Sequence, residues 1–135
     1  MEMQLEVVVI PVSDVDRAKA FYEQAGFDCD TDHRGGDTFR VVQVTPPGSS
    51  CSVSFGIGIP QGEAPVLGLH LVVKDIVAAR AELFERGIEV SEVFHMGAEG
   101  QVEGPHPERL DYGSFVQMDD PDGNVWLLQE ISNRP

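Results

Sequence analysis

Residues 9–27 read VIPVSDVDRAKAFYEQAGF, and the period of the apolar residues changes inside this stretch. The run from Leu5 to Val12, LEVVVIPV, is β-branched and extended in character and stops at Ser13. Val15, Ala18, Phe21, Tyr22 and Ala25 then fall on one face at helical spacing. Ser13 is expected to cap this helix by accepting a first-turn backbone N–H. Asp14 and Asp16 favour its positive end, and Gly26 supplies the left-handed residue that stops it. The stretch therefore predicts a strand followed by a helix.

Working outward, Phe27 to His33, Phe39 to Thr45 and Ser50 to Gly58 read as three more strands. Arg34-Gly35-Gly36-Asp37 and Pro46-Pro47-Gly48 separate them as turns. The unit is βαβββ. From Val66 the pattern starts again: LGLHLVVKDI is a strand, Asp75 a cap, and Gly87 a stop, with Ile76, Ala79, Leu83 and Phe84 as the apolar helix face. Val12, Asp14, Ala18, Ala20 and Gly26 fall on Val73, Asp75, Ala79, Ala81 and Gly87 at one constant offset. Thr45-Pro46-Pro47-Gly48 falls on Asp120-Pro121-Asp122-Gly123 at a slightly larger one. A second βαβββ unit follows, with its extra residues in Met96 to Gly113, a segment rich in Gly, Pro and charge that suits a mobile loop rather than a core element.

One domain over residues 1–135 is expected, with module one at 3–59, a joint at 60–65 and module two at 66–131. The 41% hydrophobic content is enough for one core without disulfide or metal staples. A module of roughly 60 residues buries too little surface alone, so two copies should share a sheet system and enclose a concavity, the default binding site. Nine Lys and Arg against 23 Asp and Glu leave a formal charge of -14, which repels nucleic-acid phosphates and anionic lipid surfaces. Cys29 and Cys51 form no CxxC pair and read as thiols of a reducing compartment, so a cytoplasmic location is expected. MEMQLEVVVIPV has neither the positive start nor the cleavage site of a signal peptide, and its apolar run falls short of the ~20 residues a membrane helix needs, so no membrane insertion is expected.

VIPVSDVDRAKAFYEQAGF together with the late SFVQMDDPDGNVWLLQEI (residues 114–131) resembles the glyoxalase, bleomycin-resistance and extradiol-dioxygenase superfamily, the vicinal oxygen chelate (VOC) proteins. The likeness spans nearly the whole chain. It implies an α+β fold in which two βαβββ modules pair into a curved sheet cup, and a homodimer. It also implies reaction classes from isomerisation and ring cleavage to plain drug sequestration. Metal-dependent members take one ligand from the first and one from the last strand of each module. Counting from Asp14, Asp75 and Asp120 places those positions at Val7, Ser52, Gly68 and Leu127. Aliphatic side chains, a hydroxyl and glycine offer no imidazole or carboxylate to a divalent ion, so no metal and no other cofactor is expected.

Side chains alternate along a strand, so the neighbours two residues away, Val9, Ser54, His70 and Gln129, should face the same cup. This mixed wall suits a small organic ligand. His70 is its titratable member and the candidate general acid or base. In the Met96–Gly113 segment, Arg109 and Tyr112 are the candidate ligand contacts of a lid, one a planar donor fork and the other an aromatic face with a hydroxyl. Glu6 and Glu130 should alternate outward, and Trp126 should pack between sheet and helix. The expected function is small-molecule binding without a metal. The alternative is a lyase, isomerase or dioxygenase of the same superfamily, working through His70 or through relocated metal ligands.

Overall fold

The computed structural model describes residues 1–132, and among these it contains two helices and nine strands in two mixed sheets. The chain divides into two compact units: Met1–Val66 with Asp120–Asn124, and Leu67–Asp119 with the stretch from Val125 onward. The expected α+β class and the two modules are both present. No helix among the described residues is long and apolar enough to cross a membrane.

In the first unit, β1 (Val7–Val9), β2 (Asp28–Arg34), β3 (Arg40–Thr45) and β4 (Ser52–Ile57) form a sheet of order β1-β4-β3-β2, with α1 (Val15–Gln24) packed on one face. β1 runs parallel to β4, and the other neighbours are antiparallel. Val15, Ala18, Tyr22 and Ala25 of the helix region are buried with Val42, Val44, Val53 and Phe55, and the Tyr22 and Phe55 rings lie 5.8 Å apart. Asp14, not Ser13, caps α1: its carboxylate accepts the Arg17 N–H at 3.0 Å. Ser13 is occupied elsewhere, since its backbone N–H and its hydroxyl both donate to Asp122 Oδ1. Gly26 takes φ +102, where a side chain would be strained, and so ends the helix as predicted.

The turn Asp120–Asn124 is packed into this first unit. Asp120 Oδ1 accepts the N–H groups of Asp122 and Asn124, both at 2.9 Å. Its Oδ2 accepts the Tyr22 hydroxyl at 2.7 Å and Asn124 Nδ2 at 2.8 Å. Asn124 Nδ2 also donates to the Pro11 carbonyl, and Asn124 Oδ1 accepts the Val66 N–H at 2.8 Å. A simple tight hairpin would need none of these longer-range bonds. The motif is a buried polar clasp in which Asp120 and Asn124 have their side-chain groups partnered, while Asp122 Oδ2 is buried without a partner among the described residues.

In the second unit, β5 (Leu69–Val73), β6 (Phe94–Gly97), β7 (Gly100–Glu103), β8 (Phe115–Asp119) and β9 (Val125–Glu130) are ordered β5-β9-β8-β6-β7. β5 is parallel to β9, and α2 (Ile76–Glu85) packs on β8 and β9. Asp75 caps α2 as expected, accepting from Val77 and Ala78. The predicted apolar helix face is only partly realised. Ile76 is buried, Ala79 and Leu83 are half-buried, and Phe84 is 62% exposed with the Arg80 guanidinium 5.0 Å above its ring.

The segment expected as a loop is structured in its first part. β6 and β7 form a hairpin turned through Ala98-Glu99, so this module carries one strand more than βαβββ. Its glycines serve the turn: Gly100 takes φ +119. Beyond Gly104 the chain has no regular structure until β8, but it is pinned. His106 N donates to Ser114 Oγ at 2.8 Å, Tyr112 N donates to the Glu130 carbonyl at 2.8 Å, and the Ser132 N–H and hydroxyl donate to Asp111.

Candidate functional site: the helix-free sheet faces

Alternation along β9 assigns its two faces. Trp126, Leu128 and Glu130 are buried on the side of α2, where Glu130 Oε2 accepts the Ile76 N–H at 2.9 Å. Val125, Leu127 and Gln129 point the other way and are half-buried. In the parallel ladder His70 lies opposite Leu127, and its Nδ1 is 2.9 Å from Gln129 Oε1. With the amide oriented this way Nδ1 is the donor, so neutral His70 presents the Nε2 lone pair and Gln129 keeps its NH₂ for another acceptor. Gly68 lies just before β5 and is exposed, with nothing within 4 Å of where a Cβ would stand.

The antiparallel ladder carries this face onward. Gln129 lies opposite Phe115, Phe115 opposite Phe94, and Leu127 opposite Gln117. The Phe94 and Phe115 rings are 5.5 Å apart and tilted by 32°, both half-buried, with exposed Met96 two residues along β6 on the same side. Sequence reasoning missed these aromatics. Counting the hairpin back from Asp119–Val125 would have found Phe115, while Phe94 lies on a strand with no pattern long enough to declare it. A cavity of about 410 Å³, lined by Glu89, Val90, Ser91, Gln117 and Asp119, adjoins this face at Gln117.

In the first unit Val7 lies opposite Ser52 and Val9 opposite Ser54. Ser52 and Ser54 are buried, Val7 and Val9 half-buried, and the Thr45 and Ser52 hydroxyl oxygens are 2.6 Å apart. The ladders revise one equivalence. Val9 and His70 each stand five residues before their N-cap aspartate. Val9 faces Ser54 and His70 faces Leu127, so the counterpart of Leu127 is Ser54 rather than Ser52. The turns Pro46–Cys51 and Asp120–Asn124 are built differently, and motif counting across them slips by two residues.

Arg109 departs from its expected place. Its Nε donates to Glu130 Oε1 at 2.8 Å, its Nη2 bonds Oε2, and Nη2 also lies 3.5 Å from Asp75. It therefore sits on the α2 side of β9, the opposite face from Gln129. That hydrogen-bonded guanidinium holds the Glu130 carboxyl below its ordinary range, and Glu130 in turn raises Arg109. Tyr112 has φ +62 and is 55% exposed. Within the first unit, Val7, Val9, Ser52 and Ser54 stand in one ladder; within the second, His70, Leu127 and Gln129 share a face with Gly68 just before β5, while Arg109 lies on the opposite face of β9.

The donor chemistry does not suit a divalent ion. Val7, Ser52, Gly68 and Leu127 supply neither imidazole nor carboxylate, and Ser54 does not change this. Among the described residues, no three His, Cys, Asp or Glu side chains group as a metal site would require. Glu130, three residues beyond Leu127 and on the other face of β9, is committed to Arg109 and to the start of α2.

Comparison with known proteins places these features. Residues 4–128 match the family model of the glyoxalase/bleomycin resistance protein/dioxygenase superfamily, and the chain belongs to that superfamily. The uncharacterized protein YetH of Bacillus subtilis (strain 168) is 29% identical over 96% of this chain and all of its own length. Among solved structures, TnmS3, an antibiotic binding protein from Streptomyces sp. CB03234, is 32% identical with a TM-score of 0.70, covering 96% of each chain. A superfamily member from Sphaerobacter thermophilus DSM 20745 is 28% identical with a TM-score of 0.71, covering 96% of this chain and 98% of its own.

Proposed function

We propose that this protein binds a small organic molecule on its helix-free sheet faces and does so without a metal. One observation carries the reading: the face holding Phe94, Phe115, Leu127, His70 and Gln129 combines aromatic surface with unspent hydrogen-bonding groups, the composition of a ligand site rather than of a packed interior. Val7 and Val9 offer a second, partly buried apolar surface beside the buried Ser52 and Ser54. Resemblance to an antibiotic binding protein supports sequestration over turnover. Free Cys29 and Cys51 fit a reducing, cytoplasmic setting, and a homodimer follows by analogy with the superfamily.

A thermal-shift screen over antibiotics and aromatic metabolites, with and without EDTA, tests this. A ligand at a hundredfold excess over its Kd stabilises by about 2.7 kcal/mol, on the order of 10 °C in Tm for a chain of this size. The shift is expected to survive the chelator. Stabilisation that requires a stoichiometric transition metal would overturn the metal-free reading, and a panel that yields no binder would overturn ligand binding itself. One observation favours catalysis: His70 is exposed, and its Nδ1 is held by Gln129, which leaves Nε2 as the ring nitrogen for a substrate. On that reading His70→Ala removes turnover and leaves affinity nearly intact, whereas sequestration predicts that affinity falls.

A further inference from the structure

The ladders do more than gather polar and apolar groups on one face; they fix the order in which a ligand would meet them. Across the second sheet the row is Gln129, Phe115, Phe94, with His70 reaching Gln129 from the edge strand. Cross-strand partners stand about 5 Å apart, so the Gln129 amide borders Phe115 directly, and His70 joins the row one strand further along through Gln129. We infer that the ligand is a flat aromatic molecule, neutral or cationic, that carries an N–H or O–H donor beside a carbonyl on one edge. This rests on the small-molecule reading above and adds the chemistry of the ligand.

Each part of the class comes from a group in place. The tilted Phe94 and Phe115 rings are only partly buried, and a flat ring system covers aromatic surface better than a branched chain does. With Gln129 Oε1 as the acceptor, His70 Nδ1 is the donor, and in the neutral ring Nε2 accepts; the Gln129 NH₂ donates. An edge with a donor next to a carbonyl satisfies both at once, and a molecule lacking either leaves a group unpaired when water is excluded. Charge narrows the class further. Asp119 and Glu89 line the cavity that adjoins this face, and the chain carries a formal charge of -14, so an anionic ligand is repelled where a neutral or cationic one is not.

The probe is 6(5H)-phenanthridinone, a flat neutral lactam, titrated by its fluorescence against the whole protein beside its N-methyl and ring-carboxylated derivatives. Phenanthridinone is expected to bind more tightly than the N-methyl compound by about tenfold, the worth of one hydrogen bond, and the carboxylate is expected to bind more weakly still. Phe94→Ala and Phe115→Ala should each weaken phenanthridinone by about tenfold. Phe115→Leu keeps an apolar side chain of nearer size while losing the π-face, and serves if the alanine variant fails to fold. Gln129→Leu should erase the preference over the N-methyl compound.

Binding that ignores both phenylalanine substitutions overturns this inference, as does a preference for the carboxylate. If phenanthridinone fails to bind while the wider screen finds a branched or anionic ligand, the class assigned here is wrong and the binding function stands. If nothing binds, both fall.

Discussion

The Tyr22 hydroxyl donates to Asp120 Oδ2 at 2.7 Å, tying α1 to a turn 98 positions later in the chain. Both residues are buried, so the bond is made where water cannot replace it. A hydrogen bond to a charged group contributes about 1.5–3 kcal/mol, and removing one partner leaves the other wanting. Tyr22→Phe is expected to lower the unfolding free energy by that much, read as a lower urea midpoint at an unchanged m-value, since Asn124 Nδ2 still serves the carboxylate. An unchanged midpoint would show that the clasp does not depend on this bond.

The Arg40 guanidinium is buried between two carboxylates: Nε and Nη2 each donate to Asp32 at 2.9 Å, and Nη1 donates to Asp16 at 2.7 Å. The Arg40 bonds, then the one from Lys19, hold the Asp32 carboxyl far below its ordinary value. A depressed folded-state pKa means stability that is fully present above the unfolded value, roughly 3.9, and lost as pH falls through the folded one. Stability is therefore expected to fall progressively below about pH 4. Asp32→Asn should cost about 2–4 kcal/mol at pH 7 and flatten that acid slope, as followed by urea titrations from pH 7 to pH 2. A variant with the wild-type slope would assign the acid sensitivity to other carboxylates.

Arg109 is 44% exposed while its partner Glu130 is 4% exposed, so water screens one end of the pair. Breaking a fully buried pair costs several kcal/mol; discounted for that exposure, Arg109→Ala is expected to cost about 1–2 kcal/mol. The local effect should be larger. Amides from Arg109 to Gly113 should exchange with solvent much faster, whereas β9 amides keep their protection. Unaltered exchange in the segment would mean that the Tyr112 and Ser132 bonds hold it without the ion pair.

Gly56 and Gly68 should respond in opposite ways to the same change. A Cβ on Gly56 would stand 1.9 Å from the Arg40 carbonyl oxygen, a backbone atom that cannot swing aside. Gly56→Ala is expected to destabilise by about 3 kcal/mol or more through forced movement of β3 against β4. Gly68→Ala meets nothing within 4 Å and should stay within about 0.5 kcal/mol of wild type. Thermal denaturation of the two variants side by side decides it; equal losses would contradict the strand packing described.

The repeat itself was legible because caps and stops are local chemistry. Asp75 and Gly87 announce α2 whatever it packs against, and Gly26 does the same for the end of α1, whereas its cap reads one residue early, at Ser13, because Ser and Asp side chains accept a first-turn N–H equally well. What a helix face meets is a tertiary fact: Phe84 continues the apolar pattern of α2 yet stands exposed. The β6–β7 hairpin hid behind its composition, because its strands are four residues each and their glycines read equally as loop. Arg109 was singled out for what its side chain can do, but nothing local shows that Glu130 would claim it. Alternation did put Leu127, Gln129 and His70 on one face, while counting across dissimilar turns mistook Ser52 for Ser54.

The Asp120–Asn124 clasp also bears on the order in which the protein is made. Its donors and acceptors answer to Pro11, Ser13, Tyr22 and Val66, all synthesised long before it. As the chain leaves the ribosome, the first unit therefore waits for a five-residue stretch translated only after β5 to β8, and until then its own polar groups stay open to water. A fragment ending at Val66 would carry every strand and helix of the first sheet and still lack the piece that closes it.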